Sequence, residues 1–410
     1  MDIVRALLDK GVRIPHPASV FIAGDVDPSR ISGDGVTIHP GCRITGPETL
    51  VMEGAELGRE TPLTVENCQV GPNVSLKGGY VSRSVFLAHS SMGSGAHVRE
   101  ACILEEHASC AHSVGLKHTI LFPFVTLGSL VNFCDCLMAG GTGRKDHSEV
   151  GSSYIHFNFT PRQDQATASL IGDVPHGVML DRKPIFLGGQ GGLVGPSSIS
   201  YGTTIAAGVV FKGRLEEECV FVGRGEGGPA LKTGATGGVK DKVVLNVTYI
   251  ANLVALRAWY AHVRTLFAPA GTMARWLTAG AVDKLELAMD ERISRLEGFV
   301  DKLRETGVTR GRATGGTSRG DPALPGELVS NKDRLTDRIM SMRSYEGDPR
   351  LRDAFLDTLR RAGGVSGRDY LETIKGLGGE ARSMGTAWLS EVVTKVVSAV
   401  LEVIPAFRAG

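Results

Sequence analysis

Between Gly140 and Pro161 the chain reads GGTGRKDHSEVGSSYIHFNFTP, a polar stretch inside a region otherwise set by recurring aliphatic and small residues. Departures from local consistency tend to mark places where a fold carries more than packing. His147 follows Arg144 and Lys145 and stands beside Asp146, with Glu149 two residues on. An imidazole titrates near neutrality, so it can take and return a proton under ordinary conditions. His156, Asn158 and Phe159 come next. Arg144, Lys145, Arg162 and Lys183 have the chemistry of an anion grip, although four separated cations equally describe a solvated surface. As residues alone, His147 also suits an exposed polar loop, and Asn158 suits an asparagine ladder or a corner hydrogen bond.

A second set of imidazoles lies upstream. His89 and His107 are eighteen residues apart and His112 follows by five, so the first two could stack on one face of a repeating structure. Cys134 and Cys136 point the same way if locally extended, but no second pair completes a tetrahedral set, and small buried apolar side chains explain them better. The seven cysteines are odd in number and scattered, unlike a disulfide framework, and a reducing cytoplasm fits them best.

These residues must be positioned by the elements around them. Aliphatic residues recur at steps of six: Val20 to Val26, Ile38 to Ile44, Val51 to Leu57, Val70 to Leu76 and Val98 to Leu104. After two interruptions the step returns as Val125 to Val131, Leu187 to Leu193, and Ile199 to Ile205 to Phe211. Helical and plain strand periods both fail here. A six-residue repeat means a short strand and a tight corner, with the aliphatic side chain inward and a small residue at the turn. Three such sides close one coil, and stacked coils share a continuous core.

Of the 54 glycines, 36 lie before residue 246, so the architecture changes near Asn246. Ile250, Leu253, Leu256, Val263 and Leu266 follow three- and four-residue spacing through a first helix. Val282, Leu285, Met289, Ile293, Leu296, Val300 and Leu303 form the apolar stripe of a second. The pattern predicts a short N-terminal helix over 1–11, a mainly β coil domain over 12–245, long helices over 246–308, a flexible linker over 309–327 and an all-α region over 328–410. The linker is rich in Gly, Thr, Arg and Pro.

The net charge of +1, with cations spread along the chain, gives no electrostatic footprint for nucleic acid. The N-terminus has acidic residues at 2 and 9 and no apolar run suited to a signal sequence. Glu391, Lys395 and Glu402 interrupt the apolar stretch from Ala387 to Phe407 at helical spacing, which predicts an amphipathic helix and no membrane span.

Over roughly residues 12 to 212 the sequence resembles the C-terminal acetyltransferase domain of the bifunctional bacterial enzyme that makes UDP-N-acetylglucosamine. The strongest stretch is IFLGGQGGLVGPSSISYGTTIAAG at residues 185 to 208. That family's lysine-rich approach to a catalytic histidine matches Lys145 and His147, and its Asn-aromatic pair matches Asn158 and Phe159. The resemblance implies a left-handed parallel β-helix, a homotrimer with sites in the clefts between subunits, and acetyl-CoA or another acyl-CoA as co-substrate. It implies that His147 is the general base for an acceptor amine or hydroxyl and that Asn158 bonds the acceptor or the thioester carbonyl. Arg144, Lys145, His156, Phe159 and Arg162 would bind substrate, and backbone around Gly189, Ala206 and Ala207 would receive the pantetheine arm. The family's arginine and lysine that grip the sugar phosphate fall where this chain has Thr126 or Gly128 and Leu137. Its nucleotidyltransferase domain has no counterpart here, so the chain is not expected to make a sugar nucleotide from UTP.

Three functions follow as expectations. The first is a coenzyme-A-dependent acyltransferase acting on a sugar, sugar phosphate or sugar nucleotide. The second is a non-catalytic sugar-nucleotide-binding or scaffold protein of the same fold. The third is a metal-dependent hydratase using His89, His107 and His112, whose spacing resembles the hexapeptide-coil carbonic anhydrases; that resemblance implies three imidazoles meeting a water-activating zinc-type ion between subunits, and no metal belongs to the first reading.

Overall fold

A computed structural model describes residues 3–158, 166–223, 238–268, 271–305, 323–361 and 369–408. From Arg13 to Phe221 each turn of the chain lays short strands against three walls, and strands of successive coils pair in parallel. The third wall is a ten-stranded sheet from Thr37–Ile38 to Val220–Phe221. The first two walls merge into one 15-stranded sheet because Gly115–Leu121, Asn132–Met138 and Gly192–Ile199 run round the corner between them. The fold is a parallel β-helix.

Its register follows from the repeat. Ile38, Leu57, Leu76, Met92, Cys110 and Leu127 stand one above another on the third wall, all buried. Full burial of such a side chain contributes about 1.5–3 kcal/mol, and only stacking provides it. The small residue after the aliphatic one is required by coil spacing. A Cβ on Gly188 would stand 2.2 Å from the Ala207 amide nitrogen, and one on Gly151 2.3 Å from that of Gly189.

The corner between the second and third walls turns through left-handed residues. Asn73, His89, His107 and Phe124 have φ of 55°, 62°, 60° and 70°. This conformation costs a non-glycine residue about 1–2 kcal/mol. It is held by amides reaching the coil below: His89 to the Pro72 carbonyl at 2.9 Å, His107 to Ala88 at 3.1 Å and Phe124 to Glu106 at 3.0 Å. Directly above Phe124 the next corner opens into an antiparallel hairpin, Gly141–Gly143 with Asp146–His147. One coil further on, an excursion carrying the short helix Val174–Gly177 leaves from the same corner.

Besides α1 (Ile3–Lys10) and this short helix, α2, the long helices are α3 (Val239–Trp259), which continues through a π turn at Tyr260–Arg264 to Phe267, and α4 (Thr272–Glu305). After them come α5 (Ala323–Ser330), α6 (Lys332–Met342), α7 (Pro349–Arg361), α8 (Tyr370–Lys375) and α9 (Gly379–Leu401). Among the described residues beyond Gly238 there is no strand. The helices cover the second wall: α4 packs on Leu50–Val51, Gln69–Val70 and Val85–Phe86, and α3 on Gly192–Ile199. The stripe on α4 is thus buried within the chain, with Leu285, Met289, Ile293, Leu296 and Val300 all covered. Trp259, Phe355 and Trp388 join α3, α7 and α9, their ring centroids 5.8–6.4 Å apart.

Two boundaries differ from the sequence reading. Residues 239–245, read as coil, are helical, because Val239, Val243 and Val247 already follow four-residue spacing. Residues 323–327, read as linker, begin α5, where Pro325 falls in the first turn and removes no helical bond. The rest of that linker, 309–322, lies outside the described residues. Val239–Phe267 and Gly379–Leu401 are long and apolar enough to cross a membrane by length and composition, but 83% of the apolar window of the first is buried inside the chain. The second turns Trp388, Leu389, Val392 and Val396 inward.

Candidate functional site

The hairpin above Phe124 holds His147. Its Nδ1 lies 3.0 Å from the Arg144 carbonyl oxygen, which can only accept, so Nδ1 carries the proton and donates it. Nε2 is then the basic nitrogen of the neutral ring, 3.9 Å from Glu149 Oε2, with the side chain 24% exposed. Arg144 and Lys145 are exposed at the hairpin tip, and Thr142 donates to Asp146 at 2.7 Å. Below the hairpin, His89, His107 and Phe124 form a ladder of parallel rings, with centroids 4.9 and 5.6 Å apart and planes within 4° and 11°. Burial, the neighbouring His89 and the Arg144 guanidinium, 3.5 Å from Nδ1, lower the His107 pKa.

The same corner is tied to the helices. Arg264, in the π turn, grips Glu106 with 2.7 and 2.8 Å bonds and lies over the Tyr370 ring at 3.9 Å. Tyr260 donates to Glu105 at 2.6 Å. Burial pushes the Glu105 carboxyl up to about 7, against the nearby Arg264 charge.

A second polar cluster occupies the corner between the first and second walls. Asp135 takes Arg292 Nη2 at 2.6 Å, His118 Nδ1 at 3.2 Å and Asn158 Nδ2 at 2.8 Å. Burial alone would raise its carboxyl, but the Arg292 guanidinium and these hydrogen bonds hold it well below the usual carboxylate range. Next to it, His156 is 3% exposed, with Nδ1 on the Cys134 carbonyl at 2.5 Å and Nε2 at 2.8 Å from Ser169 Oγ.

These placements sort the sequence candidates. His147, Arg144 and Lys145 share the hairpin. Asn158 lies on another corner, bonded to Asp135, so one chain does not bring it to His147. His156 is removed from substrate binding, because its ring is covered and both nitrogens are taken. Lys183 pairs with Glu218 at 2.8 Å. Phe159 and Arg162 lie outside the described residues. Gly189, Ala206 and Ala207 do meet, on successive coils at the corner between the third and first walls, where the Gly208 amide reaches the Gly189 carbonyl at 2.9 Å. A Cβ on Gly189 would stand 2.8 Å from the Ser152 carbonyl oxygen, so coil packing already accounts for that glycine.

One chain does not bring the three imidazoles together. His112 lies on the corner between the third and first walls, its Nδ1 2.9 Å from Ser129 Oγ, away from the ladder. His89 and His107 are stacked face to face, so their in-plane lone pairs run parallel instead of converging. No group of three metal-ligating side chains occurs among the described residues. The cysteines are all unpaired, and Cys136 is buried.

Sequence reasoning missed Glu105, Tyr260, Arg264 and the Asp135 to Arg292 pair. The only signal was a Glu-Glu-His run at a position where a coil needs one polar corner residue.

The buried histidine makes stability pH-dependent. Burial pushes His156 down to about 4 from 6.5, so its contribution is full above about pH 6.5 and lost as pH falls through about 4. The raised Glu105 acts in reverse: its contribution is present below the ordinary carboxyl range and is lost as pH rises through about 7. The two slopes oppose each other, so the test compares variants. Urea unfolding of His156→Gln should show, relative to the parent, a difference changing by about 1.4 kcal/mol per pH unit between those limits. A constant difference would remove the neutral buried imidazole.

The fold and hairpin define a class, a hexapeptide-repeat β-helix with an inserted histidine-bearing hairpin and a helical layer on one wall. Within it, the chain is similar to the bifunctional protein GlmU of Pelobacter propionicus, 28% identical over 205 residues, which is 50% of this chain and 39% of that protein. GlmU of Thermotoga petrophila is 27% identical over 222 residues, 54% of this chain and 44% of that protein. No family model matches. The chain spans about two fifths of the length of these curated relatives. The similarity supports a coil like GlmU's C-terminal hexapeptide-repeat acetyltransferase domain.

Proposed function

We propose that this protein is a coenzyme-A-dependent acyltransferase, with acetyl-CoA as donor and a sugar-derived amine or hydroxyl as acceptor. The observation that carries the reading is the orientation of His147, whose Nδ1 is anchored on the Arg144 carbonyl so that Nε2 is the basic nitrogen. In the reaction the acceptor nitrogen or oxygen attacks the thioester carbonyl carbon and its proton passes to Nε2. The C–S bond then breaks and the imidazolium returns the proton to the leaving thiolate, giving the acylated acceptor and free coenzyme A. Glu149, 3.9 Å away, stabilises the imidazolium between the two transfers. The corner at Gly189, Ala206 and Ala207 would receive the pantetheine arm.

His147 and Asn158 stand on different corners of one chain, so a shared site would form between subunits of a homotrimer. The first wall supports this, since it carries exposed Phe21, Ile155, Phe157 and Val210. The unpaired cysteines agree with a reducing, cytoplasmic setting. The test is thiol release from acetyl-CoA with glucosamine 1-phosphate and other amino sugars as acceptors, alongside the mass of the assembly in solution. Turnover by a trimer is expected. Lack of coenzyme A binding at millimolar concentration would instead leave the non-catalytic scaffold.

A further inference from the structure

The helical layer reaches the hairpin through one residue. Lys375, the last residue of α8, places Nζ 5.5 Å from the centre of the Phe124 ring, and a Cβ on Gly143 of the hairpin would stand 3.5 Å from it. Phe124 tops the ring ladder and Gly143 precedes Arg144, whose guanidinium meets His107 and whose carbonyl orients His147. Lys375 therefore reaches the hairpin that carries the base.

Charge pairing separates the cations of this region into two groups. Arg264 is held by Glu106, Arg182 and Arg382 by Asp181, and Lys183 by Glu218. Arg144, Lys145 and Lys375, the three on the hairpin rim, have no carboxylate within 4 Å among the described residues. The nearby carboxylates are engaged elsewhere: Asp146 by Thr142, Glu149 beside His147, and Asp369 as the cap that accepts the Glu372 amide at 2.8 Å. Three cations without a carboxylate partner beside a candidate base form a place for an anionic substituent, and charge-assisted bonds to phosphate are among the strongest available to side chains.

We infer that Lys375, with Arg144 and Lys145, grips the phosphate of a phosphorylated acceptor at the His147 hairpin, making the helical region part of the substrate site. The inference deepens the acyltransferase reading and rests on it for the identity of the bound molecule as acceptor. It also accounts for how a chain with Thr126, Gly128 and Leu137 on its coil could hold an anionic sugar: the cation comes from a helix packed against the corner.

Two measurements on the full-length chain separate this inference from the reaction it serves. In the first, calorimetry follows glucosamine 1-phosphate and unphosphorylated glucosamine binding to the parent, Lys375→Ala and Lys375→Arg. Lys375 is exposed, so the variants should keep the parent's circular dichroism and melting. The phosphorylated sugar should bind the parent, bind Lys375→Ala at least about tenfold more weakly, and recover with Lys375→Arg; binding of glucosamine should not change. In the second, acetyl-CoA turnover should show the loss in KM with kcat nearly kept. Parent-like affinity of Lys375→Ala for the phosphorylated sugar, or no binding to the parent, overturns the grip. Binding that depends on Lys375 without thioester turnover would uphold the grip and overturn the acyltransferase reading instead.

Discussion

Turnover by a His147→Ala variant is expected to fall about 10²- to 10⁴-fold, the range a positioned general base contributes, while melting behaviour stays close to the parent. The structural half follows from the location. His147 sits on an inserted hairpin outside the coil core, its ring partly exposed, and it donates to the Arg144 carbonyl of the same turn. Removing such a side chain changes stability by about 0.5 kcal/mol or less. The kinetic half follows from the tautomer, which leaves Nε2 as proton acceptor with Glu149 beside it. Glu149→Gln should lower kcat by a smaller factor, since it removes stabilisation of the imidazolium but not the base. The measurement is thiol release under saturating acetyl-CoA. If His147→Ala turns over like the parent, the base is elsewhere and the hairpin has another purpose.

Arg292→Ala should destabilise the fold by about 3–5 kcal/mol, the cost of leaving a buried carboxylate without its counter-charge. Arg292 is 1% exposed on α4 and donates to Asp135 of the coil at 2.6 Å. Without it, Asp135 keeps only His118 and Asn158, and burial then acts on the carboxylate with little to oppose it. The variant Arg292→Met combined with Asp135→Asn should regain much of the loss, because neither charge then remains buried. Urea unfolding followed by tryptophan fluorescence reads the loss, since Trp259 and Trp388 are buried against each other and Phe355 within the helical layer. A loss below about 1 kcal/mol for the single variant would mean the pair contributes little beyond its own desolvation.

How much was legible depended on range. The six-residue step identified the coil because each repeat contains its own instruction: an aliphatic residue that must face inward and a small one that must clear the next coil. The helices were legible for the same reason, as the stripe on α4 records its buried face. The hairpin at 140–147 was visible as a break in rhythm, and His147 with it. The ladder of His89 and His107 was anticipated as a stack, but its meaning was not, because spacing reports which residues share a corner and says nothing of where their lone pairs point.

His156 and Asn158 show the limit clearly. On the chain they stand among polar residues and look like ligands for a substrate. In the fold one is sealed with both nitrogens occupied, and the other supports a buried carboxylate. The sequence by itself determined the repeat, the helical layer and the site of the insertion, since these depend on residues within a few positions of each other. Only the tertiary structure decided that Arg292 answers Asp135, that Arg264 answers Glu106 and that Lys375 arrives beside the His147 hairpin. Those partners are more than 150 residues apart, and a charge carries no local periodicity that names its counter-ion.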